Sequence, residues 1–240
     1  MRVKIEPNRF RGMLENVLLH HGGTELDANV GVFTDKGVSF KDISLEVVSI
    51  VAIYDKKYFM ECDTEEENVA FSKSLLQQMT NSFKNDEGIA VFTEGEKIHL
   101  EGKKERYEES LTVIEQEELP WDIVNDVKLG AVPKNLNAEI QVLIDPGLIK
   151  NLPKAGDYLF RSDGDILELI IEDEIGKYTK EITPSKKGIL EEFEVTFESS
   201  YFDKVLSQFT GEVWLSMNEA AAVFSQKTKD FMLTYAIGSI

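Results

Sequence analysis

Few residues of this 240-residue chain are of types that make or break bonds. Its histidines are His20, His21 and His99, its one cysteine is Cys62, and no CxxC or HxxxH spacing occurs. A protein metal site needs three or four such ligands in fixed array, so no metal is expected. His20 and His21 read as solvated residues at a helix end. A lone cysteine closes no disulfide within the chain, which fits a reducing interior. Asp163 and Asp165 flank Gly164, but the later ligands of an EF-hand are missing, and the trio reads as a hairpin turn like Asp35-Lys36-Gly37. With no Gly-rich phosphate loop, Ser/His/Asp set or paired metal ligands, the chain does not read as an enzyme, and no cofactor is expected.

What remains is the chemistry of charge. Against 44 Asp and Glu stand 26 Lys and Arg, a net charge of −18. Such a surface repels a phosphate polymer, so the positions of the few cations decide the matter. Hydrophobic content of 42% lets a core form, no apolar run approaches the roughly 20 residues that cross a bilayer, and no secretory signal is expected, because Met1-Arg2-Val3-Lys4-Ile5-Glu6-Pro7 lacks an apolar stretch. No membrane partner is expected.

The elements that position these charges are written twice. Val69-Ala70-Phe71-Ser72 returns as Val195-Thr196-Phe197-Glu198 at offset 126, with Met79 and Phe83 answered by Val205 and Phe209. Phe33-Thr34-Asp35-Lys36-Gly37 pairs with Phe160-Arg161-Ser162-Asp163-Gly164 at offset 127, and Val3-Lys4-Ile5-Glu6-Pro7 with Val142-Leu143-Ile144-Asp145-Pro146 at offset 139. Each copy reads strand, helix, several strands, helix, strands. The first has a helix over 7–20, with Phe10, Met13, Leu14, Val17 and Leu18 on one face, strands over 28–34, 38–43, 47–54 and 58–62, and a helix over 72–83. Strands at 89–93, 97–102 and 107–114 complete it. The second has helices over 146–152 and 199–209 and strands across 157–182, 212–217, 221–225 and 231–237. This gives domains at 1–118 and 138–240 and a connector at 119–137. The connector is acidic but carries Leu119, Trp121 and Ile123 beside Pro120; it is either pinned to the surface or forms a docking lip.

The four helices hold Arg9, Arg11, Lys73, Lys84, Lys150, Lys154 and Lys204 against Glu15, Asp145 and Asp203. Seven basic and three acidic residues give +4 and leave −22 elsewhere, so the helices read as the only net-positive elements. Their apolar stripes must pack on sheets, which turns the cations and amides such as Gln77 away from them.

Two such copies, with basic helices in an acidic chain, resemble the sliding clamps of the archaeal and eukaryotic PCNA type. Phe33-Thr34-Asp35-Lys36-Gly37-Val38-Ser39, the stretches 69–83 and 192–208, and Met232-Leu233-Thr234-Tyr235-Ala236-Ile237 each look like parts of that family, and the likeness spans nearly the whole chain. It implies an α+β fold of two similar clamp domains, outer antiparallel sheets with helices lining the inner face, and closure of three subunits into a ring around double-stranded DNA. Arg9, Arg11, Lys73, Gln77, Lys84, Lys150, Lys154 and Lys204 would then meet phosphates without reading sequence. Ring closure would join 106–114 (Arg106, Tyr107, Glu109, Leu111, Val113) to 176–183 (Lys177, Tyr178, Lys180, Ile182) of a neighbour. Two different β-capable edges meeting in this way make a heterologous contact.

The resemblance further implies a clamp loader, a DNA polymerase and other proteins bearing a clamp-binding motif as partners, inside the cell with the DNA. That compartment is the cytoplasm of an archaeon, a host cell if the source is viral, or a nucleus. The partner pocket would have Ile43, Val47 and Ile50 as its floor, Leu119, Trp121 and Ile123 as its lip, and Tyr235, Ala236, Ile237 and Gly238 on its far side. Here the chain departs from the pattern: Ile237-Gly238-Ser239 replaces Leu-Ala-Pro, Ala236 an aromatic and Ala220 a proline. The alternative is a clamp-like subunit of a heteromeric ring, or a scaffold that does not itself encircle DNA.

Overall fold

The computed structural model describes residues 1–18, 20–21, 24–25, 28–44, 48–65, 67–83, 85–111, 137–150, 152–153, 156–172, 174 and 176–240. They form two units. The first takes the described residues of Met1–Asp42, Ile50–Asn125 and Lys227–Leu233, the second those of Ile43–Ser49, Asp126–Gln226 and Thr234–Ile240. Along the chain come β1 (Arg2–Ile5), α1 (Pro7–Val17), β2 (His20–His21), β3 (Thr24–Glu25), β4 (Ala28–Thr34), β5 (Gly37–Ser44), β6 (Val48–Asp55), β7 (Glu61–Asp63), β8 (Glu67–Ser72), α2 (Lys73–Asn81), β9 (Ile89–Glu94), β10 (Lys97–Glu101) and β11 (Arg106–Ser110). Then follow β12 (Ile140–Ile144), β13 (Tyr158–Asp163), β14 (Leu167–Glu172), β15 (Lys177–Ile182), β16 (Lys186–Leu190), β17 (Glu192–Phe197), α3 (Phe202–Ser207), β18 (Val213–Met217), β19 (Ala221–Lys227) and β20 (Phe231–Gly238). No helix of the described residues is long and apolar enough to cross a membrane.

Topology bears out the internal duplication. The first unit orders its strands β7-β1-β9-β10-β11 and β8-β4-β5-β6; the second orders them β16-β12-β18-β19-β20 and β17-β13-β14-β15. The matched residues fall at matched places: Val3 opposes Val91 and Cys62 as Val142 opposes Leu215 and Lys187. The hairpin match at offset 127 needs correction. Gly31 faces Val69 in one unit, and Phe160 faces Val195 in the other, so the ladders put Phe160 in the place of Gly31 rather than Phe33. The cause is turn length: Thr34 pairs with Gly37 across two residues, whereas Ser162 pairs with Leu167 across four.

Each core follows from apolar residues at helical and strand spacing. Phe10, Met13, Leu14 and Val17 of α1 and Leu75 and Met79 of α2 are buried, as are Val3, Ile5, Val91 and Leu100 of the strands. The Phe71 ring meets Phe10, Phe33 and Phe40 with centroids 5.4–5.9 Å apart. In the second unit Phe202 holds the same office, with Tyr158, Phe160, Phe197 and Phe224 at 5.2–5.8 Å. Edge-to-face and offset contacts of this kind add to the area they bury.

Several elements differ from the sequence expectation. The first helix stops at Val17, where Asn29 Nδ2 donates to the Val17 carbonyl (3.2 Å), and His20 and His21 belong to β2, paired with Glu25 and Thr24. Residues 56–58 form a 3-10 turn, capped by Asp55 accepting from Lys57 N–H (2.9 Å), so only Glu61–Asp63 of that segment is strand. The third helix is a single 3-10 turn, Pro146–Leu148. Gly147 is a poor helix former, and Pro153 biases the residue before it away from helical geometry. The fourth divides into a 3-10 turn at Ser199–Tyr201 and α3. Strand β16 is additional to the expected elements.

Candidate nucleic-acid interface and assembly edges

Among the proposed phosphate contacts, Lys84 and Lys154 lie outside the described residues. Gln77 is exposed on α2, and Lys73 is half-buried at its first position, after the N-cap Ser72. Arg9 is already engaged. Its Nη1 donates to the Tyr58 carbonyl (3.1 Å), its guanidinium stands 5.4 Å from the Tyr58 ring centre, and its Nε is 3.5 Å from Glu6 Oε2. Tyr58 OH donates back to the Arg9 carbonyl (2.9 Å), and burial, against the pull of Arg9, pushes the phenol up to about 12. Arg11 Nε lies 3.4 Å from Glu15 Oε1 on the same helix face. Lys150 follows the 3-10 turn rather than sitting in an α-helix, and Lys204 lies on α3; neither makes an ion pair among the described residues. The helices are also not the only cationic elements. Lys36, Lys56, Lys57, Lys227 and Lys229 gather at turns of the first unit, from segments far apart in sequence.

The two edge segments do end their sheets among the described residues: β11 pairs only with β10 and β15 only with β14. Each presents two distinct faces. Tyr107 and Glu109 stand opposite buried Leu100 and Ile98, while Arg106 and Glu108 stand opposite Glu101 and His99. Across β15, Tyr178, Lys180 and Ile182 lie opposite buried Ile171, Leu169 and Leu167, and Lys177, Thr179 and Glu181 line the other face. Tyr178 is 40% exposed. Leu111 is half-buried just beyond β11, its N–H donating to the Glu96 carbonyl (2.8 Å); Val113 lies outside the described residues.

Glu109 ties the β11 edge to the start of α2. It accepts from Ser72 Oγ (2.6 Å), Ser74 Oγ (2.5 Å) and Tyr107 OH (2.8 Å). A carboxylate at a helix N-terminus is favoured by the partial positive charge there. Burial, reinforced by Glu109, raises the Tyr107 phenol above its usual range. On the solvent side of the same sheet His99 is 3% exposed, stacked on Phe92 (4.9 Å) with Arg106 Nη2 at 3.4 Å.

The residues proposed for a partner pocket fare unevenly. Leu119, Trp121, Ile123 and Val47 lie outside the described residues, and Ile43 is described only as backbone in β5. Ile50, Tyr235 and Ile237 are buried, the Tyr235 ring edge-on to Phe209 at 5.5 Å in the second unit's core. Ala236 and Gly238 are half-buried. The Asp163 turn is a hairpin as expected: Asp163 Oδ1 accepts from the N–H groups of Asp165 and Ile166 (2.9 Å each). Among the described residues no group of three His, Cys, Asp or Glu could hold a metal ion, and Cys62 is a half-buried free thiol.

No family model matches the sequence, and no curated protein matches it either. Solved structures do. The A. fulgidus PCNA bound to the C-terminal region of FEN-1 superposes with a TM-score of 0.73 at 12% identity, over 100% of this chain and 98% of that one. PCNA from Entamoeba histolytica gives a TM-score of 0.78 at 11% identity, with coverages of 100% and 98%. The PCNA2–PCNA3 complex from Sulfolobus tokodaii gives 0.73 at 16%, with coverages of 100% and 99%. At such identities the likeness is one of fold: the chain has the α+β fold of the PCNA sliding clamps, two similar clamp units.

Proposed function

We propose that this chain is a subunit of a DNA sliding clamp: a ring that encircles duplex DNA without reading its sequence and tethers the enzymes working on it. In this reading 1–118 and 138–240 are the two clamp domains, and 119–137 connects them. One observation carries it. In the first unit the open side of β6 is covered by the start of β20: Asp55 N–H donates to the Asp230 carbonyl (2.8 Å), and Phe231 stacks on Tyr54 at 5.8 Å. By the strand order, β15 is the counterpart of β6 and β11 the counterpart of β20, and among the described residues both β15 and β11 are bare edges. A junction made once within the chain can be made again between copies, β11 of one against β15 of the next.

Charge favours that meeting. On one face Glu109 can approach Lys180 beside the two tyrosines; on the other, Arg106 and Glu108 meet Glu181 and Lys177. Because the two edges differ, the contact is heterologous and closes when the rotation per subunit permits. Loaded by a clamp loader, such a ring is held by enclosure rather than by affinity. Partners such as a polymerase would dock through Trp121 and Ile43, as the resemblance implies. A mixed ring would use the same edges; the S. tokodaii structure is a complex of two different chains, PCNA2 and PCNA3. Retention on a nicked plasmid tests encirclement. The protein should stay on the closed circle through gel filtration in moderate salt and run off once the circle is cut; equal retention on both forms contradicts it.

A further inference from the structure

Among the described residues Lys4 is ion-paired with Glu61, Lys97 with Glu108, Lys177 with Glu172 and Arg161 with Glu168. Five lysines share one surface without such a partner. Lys36, Lys56, Lys57, Lys227 and Lys229 are all exposed, and none makes an ion pair among the described residues. They come from three segments that the fold pins together in the first unit. Lys56 N–H donates to the Lys36 carbonyl, and Asp55 N–H to the Asp230 carbonyl, both at 2.8 Å. Thr228 N–H then closes the last hairpin on the Phe231 carbonyl (2.9 Å). The close approach of the first turn depends on Gly37, where φ is +140° and a Cβ would stand 2.0 Å from the Tyr54 carbonyl oxygen. Between the lysines lie the half-buried rings of Tyr58 and Phe231, 6.0 Å apart.

Three carboxylates share the surface. Asp55 is turned to its own cap, accepting from Lys57 N–H; Asp35 is exposed and Asp230 half-buried. Five cations against three anions make this patch +2 in a chain of −18. In the second unit the corresponding hairpin tip is Asp163-Gly164-Asp165, where a single cation, Lys187, donates from Nζ to the Asp165 carbonyl (2.5 Å), and β15 runs out into Thr183-Pro184-Ser185. The gathering of five lysines is therefore particular to the first unit among the described residues.

We infer that this turn cluster is a phosphate-binding surface for the duplex DNA backbone, separate from the helical cations. The inference rests on the clamp reading for the presence of duplex. Unpaired lysines on long flexible stems suit an array of equivalent phosphates, which asks for charge and not for fixed geometry. An acidic peptide would need a groove or a free strand edge to dock, and the edge here, that of β6, is already covered by β20.

The test is fluorescence anisotropy with a fluorescein-labelled duplex oligonucleotide across a salt series, with polyglutamate as a second probe. The turn variant is Lys36→Gln, Lys57→Gln and Lys229→Gln together; the helix variant is Lys73→Ala, Lys150→Ala and Lys204→Ala. Each phosphate that a variant no longer neutralises lowers the log–log salt slope by about 0.9, so the turn variant should give up about 2.7 in slope and at least roughly tenfold in affinity. Thermal melts of the turn variant, whose three sites are exposed, should match the wild type. Duplex binding unchanged in the turn variant but weakened in the helix variant overturns this inference and leaves the clamp reading standing. The reverse pattern supports it and removes the helical wall. A turn variant that loses polyglutamate but keeps duplex makes the patch a dock for acidic protein and overturns it; a wild type that binds no duplex overturns both readings.

Discussion

Replacing Gly37 by alanine should cost far more than a surface turn normally does. The position has φ +140°, a region closed to side chains, and holding a non-glycine residue in such a region costs about 1–3 kcal/mol. The new Cβ would stand 2.0 Å from the Tyr54 carbonyl oxygen and 2.9 Å from Lys56 N, both backbone atoms that cannot swing aside. Relieving the clash means moving the turn off β6 and giving up the Lys56 N–H to Lys36 carbonyl bond, roughly a further 1 kcal/mol. Together these amount to about 2–4 kcal/mol, a large part of the ~5–15 kcal/mol that holds an ordinary domain. Urea denaturation followed by circular dichroism measures it. The control is Gly95→Ala: φ there is +61°, but nothing lies within 4 Å of the added Cβ, so about 1 kcal/mol is expected. Equal midpoints for the two variants would refute the reasoning. The same Gly37 variant should weaken duplex binding, since it displaces Lys36 from the other four lysines.

Proline at Tyr178 and at Thr179 probes the β15 edge from both sides, because successive N–H groups of a strand point to opposite neighbours. One variant should fold yet fail to assemble, while the other disturbs the β14 ladder and lowers the melting temperature; two variants that assemble normally would remove β15 from the interface. Trp121→Ala and Ile43→Ser should each weaken binding of a polymerase-tail peptide in calorimetry, by roughly 2 kcal/mol if either is an interface anchor, with assembly intact; unchanged affinity in both would place the partner site elsewhere. Asp163 has a pH signature. Hydrogen bonds from Ile166 N–H and then Asp165 N–H hold its carboxyl below its ordinary 3.8. The stability it lends is thus present above 3.8 and lost as pH falls through the lowered value. Asp163→Ala should lower the melting temperature at neutral pH and flatten the acid limb of the pH profile, and an unchanged acid limb would contradict the hairpin's use of that carboxylate.

Strands with one buried face are the most legible part of the sequence. Alternation places a strand over 28–34, and β4 spans Ala28–Thr34; the 3.6 spacing of Phe10, Met13, Leu14 and Val17 places α1. Elements without such a face are opaque. All but the last residue of β16 are exposed, so its letters carry no period, and only the duplicated topology explains its place beside β12. Pro146 resembles Pro7 as a helix start, yet Gly147 and Pro153 stop the helix after one 3-10 turn, which the apolar spacing of Leu148 and Ile149 conceals. The bare edges are legible because β-capable text with no partner in its own copy must pair elsewhere or be blunted. The lysine cluster is not. Lys57 and Lys227 stand 170 residues apart, and nothing local announces that Asp55 and Asp230 share a hydrogen bond.

The central claim, that β11 and β15 are two halves of one joint, is tested most directly by the mass of the purified protein in solution. At micromolar concentration and moderate salt, light scattering behind a sizing column should return three times the 27.2 kDa of one chain. Charge reversal of Lys180 to Glu should return the single-chain mass, and adding Glu109→Lys should restore the threefold one. A wild-type protein that stays at 27.2 kDa under these conditions would contradict closure of the ring by this chain alone.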